Sequence, residues 1–540
     1  MTAVRRPSWS RRASWAAVWV AVWAFTMALL MQRIVVVRDE AWMLWVATRL
    51  SRGDVLYREV YNVTTPLAAW LAAGAVRVTG PQMATVRALL AAIFASQVLL
   101  GLSVVRWCGV RRAGQAAFVA VLLAVAAPFA AFVSLYSALA IGFGLATLRM
   151  TLWWLDAADS REETRCADRA AWAIGVTGGL AFWTKPNVGA LVALAVGAAV
   201  LAAMWGTPIR RWWPALARMA GGAAVVSVVC AAVILATGAR SAFVDQVFRS
   251  KGEYLGLGFG YLSALEKRFD ALVTGAEPFQ VRRVVKLVVQ AAPTFLLVAV
   301  AVGAVRSRHS SRPPLVALAA FTVAGILAIL PRPGLNHVTG VMPLVVPALF
   351  GTWMVGIRAR PVPSTGGVVP AVAIGATALG VVVALAVPLV SPNQPDRLRR
   401  DAPHFTGTPV TERQLQSSAR LARELRARGV DTVFIVRKDA GFLYLRTETR
   451  NPLPFDIVER SDLGGDDEAG VIRRLAAGEA EWVCVRKPGS GGTSDAGLVP
   501  VRLERWIRTH LEFRAELARC ELHRWRPATS QSVSRPPHSR

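Results

Sequence analysis

Asp39 and Glu40 follow Arg38 in the stretch VVVRDEAWMLWV over residues 35–46, and apolar residues flank the charged triplet on both sides. Ionisable side chains at a bilayer edge are unfavourable without a partner or a task. A positioned carboxylate can act as a general base. Neighbours on a helix point roughly 100° apart, so one carboxylate can face a reaction cavity while the other braces a positive group. The plain alternative is that the triplet ends a membrane span and is solvated.

The elements around the pair decide how it is held. Trp42 and Trp45 are three residues apart and share a helix face. With Leu44, Val46, Arg49 and Arg52 they make 40–52 a helix expected to lie along the membrane interface. Such a helix would hold the carboxylates at headgroup depth, where a lipid phosphate sits.

The chain has 540 residues, of which 54% are hydrophobic, and 19 Trp against 6 Tyr. Its mean hydropathy of +0.42 points to a polytopic membrane protein. Trp favours membrane–water interfaces. The formal charge of +28 fits Arg-rich cytoplasmic loops and anionic lipid better than nucleic acid, for which no groove-reading or zinc-finger motif is present.

Apolar windows long enough to cross a bilayer recur at 14–37, 84–105, 113–133, 135–155, 170–184, 187–205, 215–237, 288–305, 314–330, 338–357 and 367–390, giving about eleven spans. The first has no small-residue cleavage site behind it and is expected to be a retained anchor. Arg5, Arg6, Arg11, Arg12, Arg106, Arg111, Arg112, Arg210, Arg211, Arg306, Arg308, Arg312, Arg358 and Arg360 fall on one side if the N-terminus is cytoplasmic. The expected protein is a multi-pass inner or plasma membrane protein with three larger pieces outside: 38–83, 238–287 and everything after 391. The cytoplasmic loops are too short for a nucleotide-binding domain, and no P-loop or G-x-G-x-x-G occurs.

After the polar boundary SPNQPDRLRRDAP the composition changes. A helix over 413–429 ending at Gly429, strands at 431–437 and 481–487 and a helix between the strands suggest a small extracytoplasmic α/β domain over 391–527, with a disordered tail over 528–540. Cys484 and Cys520 could pair there, and the alternative is free thiols. No cysteine or histidine spacing suggests a metal site, and no cofactor is expected. The acidic pair is the one feature that could host a divalent ion.

The first outer loop resembles that of the GT-C superfamily of polyprenyl-phosphate-sugar-dependent glycosyltransferases, which includes protein O-mannosyltransferases and lipid A aminoarabinose transferases. The resemblance rests on Asp39-Glu40, an amphipathic helix, Gly53-Asp54, Tyr57-Arg58-Glu59, and Pro66-Leu67 with Trp70-Leu71. Further along, GLAFWTKPNVGALVAL (179–194) is similar to a Lys-containing junction between spans. PRPGLNHVTGVMPLVVPAL (331–349) is similar to an outer-edge His before a Pro-rich span. FLYLRTETRNPLPFDIV (442–458) is similar to part of the soluble tail of bacterial members. Two positions depart from the pattern: Thr65 stands where many members have a basic residue, and Ser137 follows Tyr136 where many have an acidic one.

The resemblance implies a GT-C transmembrane catalytic domain over 1–390 that moves a sugar from a polyprenyl-phosphate donor to a glycan, glycolipid or protein acceptor outside the cell, with inversion. It implies Asp39 as the base, with Glu40 orienting the sugar or a basic neighbour. Lys185, Arg58, Arg332 and His337 become candidates for meeting the leaving phosphate. Considered singly, Lys185 could instead snorkel to headgroups, Arg332 and His337 could be ordinary interface residues, and Arg58 a solvated loop residue. The basic, aromatic 238–287 loop is expected to cover the lipid donor, as a mobile outer loop does in similar enzymes, or to be a plain interfacial loop. The rival class is a transporter or flippase of lipid-linked sugars. Transporters often carry internal repeats and mid-span charges; no repeat is evident here, and the charges cluster at outer span ends.

Overall fold

The computed structural model describes residues 9–110, 134–159, 164–249, 312–329, 335–358, 397–459, 467–488 and 499–525, with a few isolated positions between them. The chain opens with α1 (Trp9–Gln32), α2 (Glu40–Ser51), α3 (Leu67–Thr79) and α4 (Met83–Trp107). It continues through α5 (Leu135–Asp159), α6 (Thr164–Thr184), α7 (Pro186–Met204), α8 (Trp213–Ala236), α9 (Arg312–Leu327) and α10 (Leu335–Arg358). Helix α1 packs on α4, α5 on α6, α6 on α8, and α9 on both α7 and α10.

Among the described residues six helices are long and apolar enough to cross a membrane, namely α1, α4, α5, α7, α8 and α10. The other two expected spans in this region also fall on helices. Helix α6 carries Arg165, Asp168 and Arg169 near its start, and α9 is only 16 residues long. Apart from isolated positions, the expected spans 113–133, 288–305 and 367–390 lie outside the described residues, as do residues 250–287 of the 238–287 loop and the 528–540 tail.

The first span is shorter than the apolar run implies. Helix α1 stops at Gln32, because the Val35 amide leaves the helix to donate to the Pro409 carbonyl at 3.0 Å. The run VVV therefore belongs to the connection into α2.

The C-terminal part is an α/β unit with α11 (Glu412–Arg426), β1 (Phe434–Val436), α12 (Ala440–Thr447), α13 (Asp467–Ala476), β2 (Trp482–Val485), α14 (Val501–His510), β3 (Glu512–Glu516) and β4 (Glu521–Arg524). Helix α11 starts with a capping box in which Thr411 and Gln414 satisfy each other's backbone amides. After it, Gly429 adopts φ +66°, a turn that favours glycine. The two expected strands, β1 and β2, pair in parallel, Ile435 opposite Cys484. The sheet order is β1-β2-β4-β3, and β3 and β4 form an antiparallel hairpin at one edge.

Cys484 on β2 and Cys520 just before β4, 36 positions apart in sequence, form a disulfide. Closing a loop of that size is worth about 3–4 kcal/mol through the unfolded state. Replacing both cysteines with serine should lower the unfolding midpoint of this unit, read by a thermal melt of the detergent-solubilised chain. An unchanged midpoint would mean that the bridge contributes nothing.

Candidate active site

The site begins where α1 ends. The Val36 amide donates to the Glu40 Oε2 at 2.9 Å, folding residues 36–40 into a tight turn that starts α2. Asp39 occupies the N-cap position, yet its side chain makes no capping bond and is exposed. Its carboxylate is left available, and the chain's only cost is a bare helix start.

Glu40 is committed elsewhere. Its Oε2 accepts from Arg87 Nη2 at 2.9 Å and lies 3.5 Å from Arg33 Nη2. Burial pushes the Glu40 carboxyl up, but Arg33, Arg87 and the Val36 amide outweigh it and hold the pKa below the usual carboxylate range. Arg87 comes from the first turns of α4, is fully buried, and also donates to the carbonyls of Leu30 at 2.5 Å and Arg33 at 2.9 Å. Leu30 sits in the last turn of α1, where its carbonyl also takes the Arg33 amide at 3.1 Å, and Arg33 directly follows the helix. One guanidinium therefore ties α1, α2 and α4 together.

Removing it should be severe. Arg87→Met leaves a mostly buried carboxylate without its main partner, a loss of about 3–5 kcal/mol. A thermal melt in detergent checks this, and a shift of a degree or less would refute it. The pH direction follows from the same contacts. A depressed carboxyl contributes stability that is fully present above its unfolded pKa and lost as pH falls through its folded one. The Glu40 brace should hold at neutral pH and weaken only in acid.

The loop from α2 to α3 is built around Tyr57, whose φ of +71° is unusual for a residue with a side chain. Its amide donates to the Val60 carbonyl at 2.7 Å and its buried hydroxyl to the Thr64 carbonyl at 2.8 Å. Just beyond α8, Gln246 clamps the loop by donating to the Tyr57 carbonyl at 2.7 Å and accepting from the Asn62 amide at 3.0 Å. Thr65 is buried and donates to the Phe182 carbonyl at 3.0 Å, near the end of α6. A basic side chain could not occupy that position without moving α6.

Lys185 is the single residue between α6 and α7. Pro186 opens α7 with the φ that a first helical turn needs. The turn is tight enough that a Cβ at Gly189 would come within 2.2 Å of the Phe182 Cα. Half-buried Lys185 donates from Nζ to Ser137 Oγ at 3.1 Å and lies 5.5 Å from the centre of the Tyr136 ring. His337, at the start of α10, lines the same narrow cleft as Lys185 and Ser137, closed by Ile329 and Val341.

Arg58 lies apart from that cleft. It is exposed, pairs with Glu59 at 2.9 Å, and donates to the Thr237 carbonyl at 3.1 Å. Thr237 lines an apolar groove of about 290 Å³ whose walls include Leu50, Tyr57, Trp70, Val233 and Ile234. Arg332 lies outside the described residues. Two groups of sequence-expected residues thus emerge, Asp39 with Glu40 and Lys185 with His337. Both belong to helix ends that gather on one side of the bundle. On the opposite side Arg106 lies over the Trp15 ring at 5.0 Å and Arg218 pairs with Asp168 at 3.1 Å.

One expectation needs correction. Helix α2 does not lie on a lipid interface. Residues 41–49 are buried, and the Trp face is covered by α12 of the C-terminal unit, with Trp45 stacked on Tyr444 at 5.1 Å. Arg49 is buried as well, donating to Asp54 at 2.6 Å and Asp456 at 3.0 Å. Sequence reasoning also missed Arg87, although an arginine inside an expected span is itself a signal. Among the described residues no cluster of three or more His, Cys, Asp or Glu side chains could hold a metal ion.

No family model matches the chain, and none of the curated proteins does. Solved structures do. ArnT from Cupriavidus metallidurans, crystallised with undecaprenyl phosphate, matches over 96% of this chain and 98% of its own, at 14% identity and a TM-score of 0.50. The chain shares the fold of this ArnT. The Archaeoglobus fulgidus oligosaccharyltransferase in its apo form matches over 89% of this chain and 70% of its own, at 12% identity and a TM-score of 0.51. At these identities the likeness is one of architecture, and the helix bundle that carries Asp39 and Lys185 is part of it.

Proposed function

We propose that this protein is a membrane glycosyltransferase that moves a sugar from a polyprenyl-phosphate donor to an acceptor in the cell envelope, on the extracytoplasmic face and with inversion. The observation that carries the reading is the unequal acidic pair. Asp39 is exposed and makes no capping bond, while Glu40 is consumed by Arg87 and Arg33. One carboxylate is kept available and the other keeps its helix in place.

Asp39 accepts the proton from the acceptor hydroxyl as that oxygen attacks the anomeric carbon. The bond from that carbon to the phosphate oxygen breaks, and the electron pair leaves with the lipid phosphate. Lys185, with His337 in the same cleft, stabilises the charge that collects on the phosphate. The apolar groove beside Arg58 suits part of the lipid chain, and the exposed guanidinium at its rim would turn from Glu59 to meet a phosphate. The undecaprenyl phosphate bound to the structurally similar ArnT supports a lipid of this class. The Cys484–Cys520 bridge supports an oxidising compartment for the C-terminal unit, and the basic helix ends on the opposite side support a cytoplasmic N-terminus.

The test is a transfer assay with the purified chain in lipid nanodiscs. Polyprenyl-phosphate sugars are supplied with envelope glycolipid and glycan acceptors, and release of lipid phosphate is followed together with anomeric configuration. Lipid phosphate released with an inverted product supports the reading. Movement of intact lipid-linked sugar across a vesicle membrane without bond cleavage would replace it with transport.

A further inference from the structure

The C-terminal unit grips α2 along its whole length. Ahead of the helix Arg38 pairs with Glu459, which is buried. Near the start of the helix the backbone of Trp42 lies against Gly441 of α12, so closely that a Cβ on Gly441 would come within 2.8 Å of the Trp42 Cα. Trp45 stacks on Tyr444, whose own hydroxyl accepts from the Ile435 amide at 2.8 Å and donates to the Val433 carbonyl at 3.2 Å. At the far end Asp456 Oδ1 accepts three bonds, from Trp45 Nε1 at 2.8 Å, Arg49 Nη1 at 3.0 Å and Asn451 Nδ2 at 2.9 Å.

Asp456 is buried, and its Oδ2 has no hydrogen-bond partner among the described residues. A half-satisfied buried carboxylate is a poor way to add stability, because a well-packed apolar residue would often do better. What the carboxylate does supply is direction. Its three donors come from two turns of α2 and from the segment 451–456, so one oxygen sets both the rotation of α2 and its height against the C-terminal unit.

We infer that Asp456 is a positioning residue for the reaction, acting through Trp45 and Arg49 to aim the Asp39 carboxylate, so that the C-terminal unit is a working part of the active site. This rests on the reading of Asp39 as the base. Helix α2 is held near its start by Glu40 on Arg87 and near its end by Arg49 on Asp456, and a helix fixed at both ends cannot turn its N-cap residue away. Loss of Asp456 removes the bonds that fix the rotation of Trp45 and Arg49 against the C-terminal unit, so the far half of α2 shifts while the first hold stays.

The test measures kcat and KM for the lipid-linked donor in nanodiscs, for Asp456→Ala, Asp456→Asn and Gly441→Ala. Asp456→Ala should lower kcat roughly 10²-fold, the loss expected of a misplacement near 1 Å. Donor KM should stay within about twofold, because no substrate contact is removed. Asp456→Asn keeps a carbonyl oxygen in place and should recover most of kcat. Gly441→Ala moves α12 off α2 with no change of charge and should give the same split of low kcat and unchanged KM. If Asp456→Ala fails to fold, shown by loss of its melting transition, Gly441→Ala decides alone. Wild-type kcat in Gly441→Ala and in folded Asp456→Ala overturns the inference, as does a fall in donor affinity that accounts for the whole effect. Asp39→Asn runs in parallel. If it is inactive while the three variants behave as wild type, only the positioning role fails; if it is fully active, the assignment of the base has failed.

Discussion

Asp39→Asn should abolish sugar transfer while leaving the protein folded and able to bind its donor. The amide has nearly the size and shape of the carboxylate, and Asp39 makes no capping bond that the change would remove. What disappears is the ability to take a proton from the acceptor hydroxyl. A positioned base is worth about 10²–10⁴ in rate, and the loss should fall in kcat rather than in donor affinity. The measurement is lipid-phosphate release under single-turnover conditions, with donor binding followed separately. Glu40→Gln makes a useful contrast. It keeps an oxygen for the Val36 amide but gives up the charge that Arg87 and Arg33 embrace, so its loss should show in melting temperature as well as in rate. An Asp39→Asn protein that transfers sugar at the wild-type rate would remove Asp39 from the mechanism.

The sequence reading singled out this pair and expected one carboxylate to face a cavity while the other braces a positive group, but it could not name the brace. Adjacency predicts that two carboxylates on a helix diverge, yet the deciding partner, Arg87, lies 47 residues away inside an apolar run. For α2 the spacing of Trp42 and Trp45 correctly indicates a helix with one apolar face. It cannot say whether lipid or protein covers that face, since both present the same apolar surface. Here protein covers it, and the covering residues Tyr444 and Asp456 lie about four hundred positions later. The stretch FLYLRTETRNPLPFDIV stood out by resemblance without revealing that it docks on α2. Strands β1 and β2 were legible as short apolar runs. The β3–β4 hairpin was not, because β3 reads EFRAE and is mostly exposed, with no apolar run to mark it. Lys185 was legible for a local reason: a lysine before proline between two apolar segments must sit at a turn.

Lys185→Met should lower kcat about 10²–10³-fold, the range associated with loss of a preorganised group facing developing charge. Methionine matches the length of the aliphatic stem and keeps the apolar contacts of the turn, so the variant isolates the ammonium. The turn itself depends on Pro186 and on the close approach of Gly189 to Phe182, neither of which the change touches. Lys185→Arg should retain part of the activity, since the charge persists but the planar guanidinium cannot reproduce both the bond to Ser137 and the approach to the Tyr136 ring. The competing account is that Lys185 only anchors the turn at headgroup depth. An anchor would tolerate arginine fully and methionine nearly so, with any loss appearing in melting temperature. The phosphate account predicts the reverse, an unchanged melt and a rate that follows the charge. The departing phosphate gains charge as the anomeric bond breaks, so an ammonium facing it interacts more strongly in the transition state than in the bound donor. That difference is what places the expected loss in kcat.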